Sequence, residues 1–368
     1  MKRILIVTHW YFPRNVPRAF RAKELVNEFR NRGFLVDLVV GDYKQFILHK
    51  DYNQNDFEKK DVSNSNSAKL SNNPILSKLK DIFNFFLGDR FFVTSGFFVY
   101  KNIDVEKYDS IVSIGLPFYI NFITALKIKK IKSTKCISIS DWSDPFFKSG
   151  DTKVAFYFKA LQKYACSAVN YITIPTENAL YYFENYTDKN KIKVIPQGFN
   201  FENVKLEEYK KNKRITFAYA GIFYKEIRNP EKLLNALSKM NIDFLFVMYT
   251  MTHGAVYNDV LLPYKKILGD KLEINSLIPR EDCITKLSSM DFLINLENST
   301  SNQVPSKLVD YALTNRPILS IKHDEISTDI IYSFFKGDYS TALKIPLEKY
   351  NIKNVCQQFI DLVEGNED

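Results

Sequence analysis

Residues 304–320 read Val304-Pro-Ser-Lys-Leu-Val-Asp-Tyr-Ala-Leu-Thr-Asn-Arg-Pro-Ile-Leu-Ser320, and this stretch is the most informative about the fold. Pro305 and Ser306 are residues that begin helices, since proline has a fixed φ and lacks the N–H that a first turn leaves unpaired. Apolar residues recur at helical spacing up to Asn315, and an apolar strand follows at 318–321. A helix N-terminus presents unpaired N–H groups and about half a positive charge, so this helix start suits a diphosphate.

The stretch resembles the nucleotide-sugar site of GT-B glycosyltransferases, especially glycosyltransferase family 4, which carries a Glu-x7-Glu signature. In that family the second Glu holds the ribose, and Asp310 occupies its position here. The first position falls on Asn302, which can hydrogen-bond a sugar hydroxyl but carries no negative charge. Ser306 and Lys307, at the predicted helix start, are candidates for binding the diphosphate. An ordinary buried strand–helix unit would show the same apolar pattern.

Length and composition favour two α/β domains and an anionic partner. The chain has 368 residues, 45% of them hydrophobic, and a net charge of +9. The basic residues are dispersed and no RNA-binding fingerprint or zinc-finger spacing occurs, so we expect no nucleic acid partner. The four cysteines are far apart and contain no Cys-x-x-Cys pair. Together with an N-terminal apolar run too short for a signal peptide, this predicts a cytoplasmic protein.

Missing motifs narrow the class of enzyme. No two of the 12 glycines are separated by one residue, so the Gly-x-Gly-x-x-Gly fingerprint of dinucleotide-binding enzymes does not occur. No Gly-Lys-Ser/Thr sequence occurs either, which disfavours a P-loop ATPase. Asp-x-Asp, the metal–diphosphate signature of the other large glycosyltransferase fold, is also missing. We therefore expect no cofactor and no metal, with cationic side chains offsetting the charge of the leaving diphosphate.

Alternating strand and helix patterns in residues 1–200 predict a first, Rossmann-like domain with a doubly wound parallel sheet. Its first strand at 4–8 leads into a loop and a helix that begins near Arg18. His9 follows the carboxyl end of that strand, where open α/β sheets bind ligands. His9 and Arg18 are therefore candidates for binding an acceptor.

A later strand of this domain ends in Asp141-Trp-Ser-Asp-Pro-Phe146. In family 4 and its relatives, a strand that ends in Asp-x-x-Asp-Pro-aromatic lines the cleft of the first domain, and this segment is similar to it. The resemblance makes Asp141 and Asp144 candidate catalytic carboxylates, which would orient or deprotonate the acceptor hydroxyl. Asp144, before a proline, is equally suited to forming a turn.

Residues 45–100 lie outside the resemblance and are predicted to be an insertion. The segment 50–74 is rich in Asn, Asp, Lys and Ser, which is typical of a mobile surface segment. Residues 75–87 are amphipathic and aromatic, and further aromatic pairs follow at 91–92 and 97–98. This pattern fits a pair of core helices, which we favour, or an interfacial segment that docks on anionic lipid.

A second series of strand–helix units at 201–344 predicts the nucleotide-sugar-binding domain. A strand ends at Gly221, which is a candidate for binding the donor diphosphate, and the loop after it carries Lys225 and Arg228. In related enzymes an Arg or Lys pair from this loop binds the diphosphate, and the planar guanidinium fork of arginine suits phosphate. Glu297 ends another strand and is a candidate catalytic carboxylate that substitutes for the missing acid at position 302.

Two further segments complete the resemblance. Residues 276–281 resemble the turn that faces the nucleotide base in this family. A helix within 345–368 is expected to pack back on the first domain, as the last helix of this fold commonly does.

The predicted fold is therefore GT-B, with two Rossmann-like doubly wound domains facing across a cleft. The resemblance implies a metal-independent, retaining glycosyltransferase. It would move a sugar from a nucleoside-diphosphate sugar to a hydroxyl of a growing, lipid-linked cell-surface glycan such as a capsule or O-antigen. The expected partners are a nucleotide sugar, a glycan or lipid-linked acceptor and the anionic inner face of the cell membrane. Two alternatives stay open: a nucleotide-sugar 2-epimerase on the same fold, and a non-catalytic binding subunit, which Asn302 favours.

Overall fold

The structure is a computed structural model, and it describes residues 1–14, 16–42, 74–88, 90–131, 135–147, 153–202, 204–297 and 306–365. Contacts divide the chain into two units, Met1–Phe199 with Tyr350–Asp368, and Asn200–Lys349. The sequence prediction placed these divisions after residues 200 and 344. The predicted mobile segment at 50–73 and the signature residue Asn302 lie outside the described residues.

The first unit is built on a parallel sheet of six strands in the order β2-β1-β3-β4-β5-β6. These strands read as nearly continuous apolar runs because both faces of a parallel sheet are covered by helices. Their bounds are β1 Arg3–Thr8, β2 Leu35–Val40, β3 Ser110–Ile114, β4 Ile137–Asp141, β5 Tyr171–Ile174 and β6 Ile192–Val194.

Six helices accompany this sheet within the described residues. They are α1 Pro17–Asn31, α2 Pro74–Leu87, α3 Arg90–Asn102, α4 Tyr119–Ile131, α5 Phe158–Ser167 and α6 Leu180–Phe183. The apolar stripe of α1 includes Leu25, Val26 and Phe29, which are fully buried against β1 and β2. A left-handed Gly33 follows the helix and turns the chain into β2.

The second unit has its own parallel sheet of five strands in the order β11-β10-β7-β8-β9. The strands are β7 Ile215–Ala220, β8 Phe244–Thr250, β9 Leu272–Ser276, β10 Phe292–Glu297 and β11 Ile318–Lys322. Four helices lie between these strands and a fifth follows β11. They are α7 Glu231–Ser238, α8 Leu262–Leu268, α9 Arg280–Ser288, α10 Ser306–Leu313 and α11 Thr328–Phe335. Phe217 lies at the centre of the core, stacked on Phe246 and Phe292 at centroid distances of 4.7 and 4.8 Å.

The last helix, α12 Ile352–Glu364, returns to the first unit. Asn351 caps its start by accepting a hydrogen bond from the Lys353 N–H at 3.0 Å, and a left-handed Gly365 ends it. Its apolar stripe, which includes Val355 and Phe359, packs in the same core as α1. The end of the chain thereby completes the first sheet's helical layer.

Both sheets have a point where the strand order reverses. In the first unit this point lies between β1 and β3, and in the second it lies between β7 and β10. Open α/β sheets bind ligands at the carboxyl ends of the strands beside such a point. The predicted fold class, α/β with two doubly wound parallel sheets, is confirmed.

We predict that a methyl group at Gly41, just after β2, destabilises the first unit. An added Cβ would overlap Tyr119 Oη and lie 2.9 Å from His9 Nδ1, and these two atoms are 2.7 Å apart in a hydrogen bond. Tyr119 is fully buried, so it has no room to move aside. Gly41→Ala should lower the free energy of unfolding by about 1–3 kcal/mol, measured by urea unfolding.

The matched control is Gly96→Ala in α3, where the nearest atom to an added Cβ is 3.8 Å away. Alanine favours helix over glycine, so this variant should be neutral or stabilised by up to about 1 kcal/mol. Equal destabilisation of the two variants would contradict the steric explanation.

Candidate functional site

The centre of the candidate site is the end of β7, beside the point where the second sheet reverses order. Gly221 follows the strand with a φ of 135°, in the region that favours glycine. Its N–H donates to the Tyr249 carbonyl of β8 at 2.9 Å. An added Cβ would lie 3.5 Å from Tyr219 Oη and 3.8 Å from Lys307 Cδ. Gly221 thus turns the chain out of the sheet next to the first turn of α10, and its predicted contact with the donor stays a prediction.

Two buried tyrosines hold this end of the sheet. The Tyr311 hydroxyl accepts a hydrogen bond from the Ala220 N–H at 2.6 Å and donates to the Ala220 carbonyl at 3.1 Å, which ties α10 to β7. Tyr219 stacks on Phe223 with a centroid distance of 4.2 Å. Burial raises the pKa of Tyr219 to about 12, although Arg228 acts to lower it. The phenol therefore stays protonated at physiological pH.

The amine of Lys307 is buried at this point. Its Nζ lies 4.6 Å from the centroid of the Tyr219 ring and is buried without a hydrogen-bond partner among the described residues. Burial lowers the pKa of Lys307 well below the usual value for lysine, and the nearby Arg228 lowers it further. A buried ammonium group without a hydrogen-bonded anion is costly. The arrangement therefore favours an anionic ligand beside Gly221.

The loop after Gly221 places one cation inward and one outward. Tyr224 and Arg228 exchange two backbone hydrogen bonds of 3.2 and 3.1 Å, which close the loop into a tight turn. Arg228 is half-buried, and its Nη1 donates to the Ile222 carbonyl at 3.2 Å. Lys225 lies at the exposed tip of the turn. The structure thus brings Arg228 and Lys307 together and leaves Lys225 in solvent, with its predicted contact to a diphosphate untested.

Asp310, the predicted ribose ligand, forms an ion pair that the sequence did not predict. Arg280, the first residue of α9, donates to Asp310 Oδ1 from Nε at 2.9 Å and from Nη2 at 2.5 Å. Burial raises the pKa of Asp310, and the charge and hydrogen bonds of Arg280 act to lower it. Arg280 lies in the 276–281 turn, which resembles the turn that faces the nucleotide base in the family. That resemblance was the sequence signal that could have placed Arg280 at the site.

Glu297 is held towards the edge strand of the second sheet. Its Oε1 accepts a hydrogen bond from the Ser320 hydroxyl at 2.9 Å, and Ser320 Oγ accepts one from Asn295 Nδ2 at 2.7 Å. This chain joins β10 to β11 and fixes the carboxylate at the carboxyl end of the sheet. The catalytic role of Glu297 stays a prediction. Ser306 is the first residue of α10.

Asp141 of the first unit is a fully buried carboxylate with two arginine partners. Oδ2 accepts from Arg18 Nη2 at 2.5 Å and from Arg21 Nε at 3.2 Å. Oδ1 accepts from Arg21 Nη2 at 2.7 Å and from the Thr173 hydroxyl at 2.6 Å. Burial acts to raise the pKa of Asp141, but the two arginines and these hydrogen bonds outweigh burial and hold the pKa below its usual value.

This ion cluster joins several segments of the first unit. Arg18 also donates to the carbonyls of Gly115 and Asp141, and Arg21 donates to the carbonyls of Ile195 and Pro196. The geometry gives Asp141 and Arg18 a structural role, because all their described bonds connect parts of the protein. Their predicted roles as catalytic carboxylate and acceptor ligand stay predictions. Arg21 was missed from the sequence, because nothing in its helical spacing shows which carboxylate it meets.

Of the other predicted site residues of the first unit, His9 is buried and Asp144 is exposed. His9 is buried among Trp10, Phe91 and Tyr119, and its Nδ1 is hydrogen-bonded to the Tyr119 hydroxyl. Asp144 is exposed after the end of β4. Within the described part of the chain, no group of three or more His, Cys, Asp or Glu side chains is placed to hold a metal ion. Metal independence stays a prediction.

We predict that Asp141→Asn strongly destabilises the protein at neutral pH. The change leaves two buried arginines without their anion, and breaking a buried ion pair costs about 3–5 kcal/mol. Because the pKa of Asp141 is lowered in the folded protein, its contribution is present above pH of about 4 and is lost as the pH falls further. Urea unfolding at pH 7 and at pH 3 measures both effects.

The matched control for this test is Asp104→Asn, at an exposed position of the same unit. It should change the free energy of unfolding by less than about 0.5 kcal/mol at either pH. Full stability of Asp141→Asn at pH 7 would contradict the structural role of the cluster.

We predict the opposite sign for Lys307→Met, which should raise the free energy of unfolding by about 0.5–2 kcal/mol. The reason is that burial disfavours the charged lysine, and methionine removes that charge while keeping an unbranched side chain. The gain should shrink as the pH approaches the ordinary lysine pKa of about 10.4, where the unfolded chain also loses the proton. Lys322→Met, at the exposed end of β11, should stay within about 0.5 kcal/mol of the unchanged protein. A destabilised Lys307→Met would show that the charge has a partner.

No protein-family model matches the chain, and no curated protein sequence matches it. Solved structures do match it. The apo form of the lipopolysaccharide outer core galactosyltransferase WaaB has a TM-score of 0.57 and 12% identity, over 99% of this chain and all of WaaB. HepE from Anabaena, in complex with UDP and glucose, has a TM-score of 0.57 and 10% identity, over 99% of this chain and all of HepE. TarM has a TM-score of 0.59 and 12% identity, over 99% of both chains.

Matches at this level of identity establish the fold alone. WaaB, HepE and TarM are GT-B proteins, and their likeness extends over both units of this chain. Membership of family 4 does not follow from these identities. The two doubly wound sheets described above are those of the GT-B fold.

Proposed function

We propose that this chain is a glycosyltransferase that takes its sugar from a nucleoside-diphosphate donor. One observation carries the proposal: the buried Nζ of Lys307 lacks a hydrogen-bond partner among the described residues, beside Gly221 and Arg228. Two neighbouring cations at the carboxyl edge of a doubly wound sheet fit a ligand with two negative phosphate groups. The GT-B fold of the chain supports the same ligand class.

Donor binding then follows from the elements around Gly221. The backbone after Gly221 and the start of α10 approach the diphosphate, to which Lys307 and Arg228 donate charge-assisted hydrogen bonds. Asp310 is proposed to accept hydrogen bonds from the ribose while Arg280 orients its carboxylate. Asn302 is kept as a proposed sugar ligand in the segment before α10.

Transfer requires the bond between the anomeric carbon and the diphosphate to break while the acceptor oxygen bonds to that carbon. The diphosphate gains negative charge as it leaves, and Lys307 and Arg228 stabilise that charge where it develops. The acceptor hydroxyl gives up a proton in the same exchange. Asp144 and Glu297 are the proposed carboxylates for this step, because Asp141 is occupied by its arginines. Retention of anomeric configuration and independence from metal are parts of the proposal.

The proposed acceptor is a growing, lipid-linked glycan of the cell surface, reached from the cytoplasm at the inner face of the membrane. WaaB supports a cell-surface glycan as the acceptor, and HepE supports a UDP-containing donor. WaaB is a lipopolysaccharide outer core galactosyltransferase, and HepE was crystallised with UDP and glucose. A TarM variant was also crystallised with UDP and α-GlcNAc-glycerol. UDP is therefore the first nucleotide to test.

We expect a nucleoside diphosphate to bind and stabilise the protein, and Lys307→Met to weaken that binding by about 10- to 100-fold, the value of a lost hydrogen bond between charged groups. A thermal-shift panel of nucleoside diphosphates identifies the base, and isothermal titration calorimetry then measures the affinity. Lys322→Met is the control, since Lys322 lies at the same sheet edge but pairs with Glu325 in solvent. Unchanged affinity in Lys307→Met would contradict the proposed site.

The same binding should weaken as the pH is raised towards the ordinary lysine pKa of about 10.4. Burial lowers the pKa of Lys307 in the free protein, so the site loses its charge at a lower pH than an exposed lysine would. Lys307→Arg should bind over a wider pH range, because arginine stays protonated.

Incubation with the donor alone, and then with acceptors, distinguishes a glycosyltransferase from the two alternative functions. Conversion of the donor sugar without an acceptor would indicate an epimerase, and binding without any turnover would indicate a non-catalytic subunit.

A further inference from the structure

The end of α2 and the start of α5 expose large apolar side chains that the proposed chemistry does not use. Core helices bury such side chains, and α3 does so with Val99, but α2 does not. Phe86 is 53% exposed and Phe156 is 85% exposed. We call the following five residues the aromatic patch: Ile82, Phe83, Phe85, Phe86 and Phe156. The interpretation of α2 as a core helix, favoured from the sequence, is therefore wrong for its described part.

The two parts of the aromatic patch are joined by hydrogen bonds. The Ala155 N–H donates to the Phe85 carbonyl at 2.9 Å, and the Tyr157 hydroxyl donates to the Phe86 carbonyl. These bonds hold the segment around Phe156 against the last turn of α2. The hydrogen bonds therefore bring Phe156 beside the exposed rings of α2. On α3, Phe97 is also 79% exposed.

The charge beside the aromatic patch is positive. Residues 153–167 contain Lys153, Lys159 and Lys163 and no acidic residue, and all three lysines are exposed. Two further exposed lysines, Lys129 and Lys130, end α4, which packs against α3 and α5. One acidic residue of α2, Asp81, is exposed next to Ile82. The balance favours an anionic partner with an apolar interior.

We propose that the aromatic patch and its lysines dock the first unit on an anionic lipid bilayer. Phenylalanine rings enter the boundary between headgroups and acyl chains, and lysines near the surface attract anionic lipid by about fivefold each. The segment Asp81–Asn102 is long and apolar enough, by length and composition, to cross a membrane. However, α2 has 14 residues and α3 has 13, with a left-handed Gly88 after α2, and a span needs about 20 in one helix. The helices lie on the membrane and do not cross it.

A lipid surface fits the aromatic patch better than a second copy of the chain. A symmetric dimer through this surface would place the lysines of one copy against the same lysines of the other, and like charges oppose that contact. The chain's own segment 50–73 is rich in Asn, Asp, Lys and Ser, so it offers little apolar area to cover the rings. Docking on lipid does not depend on the proposed sugar transfer.

The test is co-sedimentation of the full chain with vesicles of phosphatidylglycerol and phosphatidylcholine, compared with vesicles of phosphatidylcholine alone. We expect binding to the anionic vesicles and at least tenfold weaker binding to the neutral ones. The double variant Phe86→Ser/Phe156→Ser should lose binding by at least tenfold. The double variant Lys159→Gln/Lys163→Gln should lose about 25-fold, and this loss should be reproduced by raising the salt concentration.

Ile267→Ser is the matched control, because Ile267 is equally apolar and 65% exposed on α8 of the second unit. It should bind as the unchanged protein does, and circular dichroism should show that every variant is folded. Equal binding to neutral vesicles, no binding to either kind, or equal loss in Ile267→Ser would each overturn the proposal. A dimer in size-exclusion chromatography that Phe86→Ser/Phe156→Ser dissociates, without vesicle binding, would identify a second copy as the occupant and overturn it too.

Discussion

A charge that is removed from water has to find a partner, and the two sheets of this protein meet that constraint in opposite ways. In the first unit, the carboxylate of Asp141 is fully buried and accepts hydrogen bonds from Arg18, Arg21 and Thr173. In the second unit, the Nζ of Lys307 is buried with no hydrogen-bond partner among the described residues. Both groups lie at the carboxyl edge of a parallel sheet, where this fold binds its ligands. The first site is complete within the protein, whereas the second, in the function proposed here, is completed by the diphosphate of the donor.

This contrast separates a structural role for Asp141 from a ligand-binding role for Lys307. Resemblance alone placed Asp141 among the catalytic candidates, but a carboxylate with a lowered pKa and two guanidinium partners is a poor proton acceptor. Its partners instead connect α1 to the ends of β3 and β4 and to the segment after β6. At the carboxyl edge of the second sheet, the Nζ of Lys307 has no comparable hydrogen-bond partner among the described residues. A leaving diphosphate would supply the missing negative charge at the moment when the reaction creates it.

Much of the fold was predictable because it depends on local patterns. Apolar strands and amphipathic helices indicated two Rossmann-like sheets. The family resemblance placed Lys225 and Arg228, in the loop after Gly221, near the start of the helix at Ser306. Pairings between distant segments were not predictable. The pairing of Arg280 with Asp310 and that of Arg21 with Asp141 join residues 30 and 120 positions apart. No periodicity within a helix indicates which charge a guanidinium will meet.

The aromatic helices show a second limit of sequence patterns, and they connect the two proposals. Hydrophobic periodicity measures whether a helix has an apolar face, and a core helix and an interfacial helix share that property. Only the surroundings distinguish them, and here Phe86 and Phe156 are left in solvent next to exposed lysines. An enzyme whose acceptor is anchored in lipid gains from residence on that surface, because confinement near the membrane raises the local concentration of acceptor. The donor, by contrast, is soluble, so its site needs affinity of its own, and the uncompensated charge of Lys307 provides a physical source for that affinity.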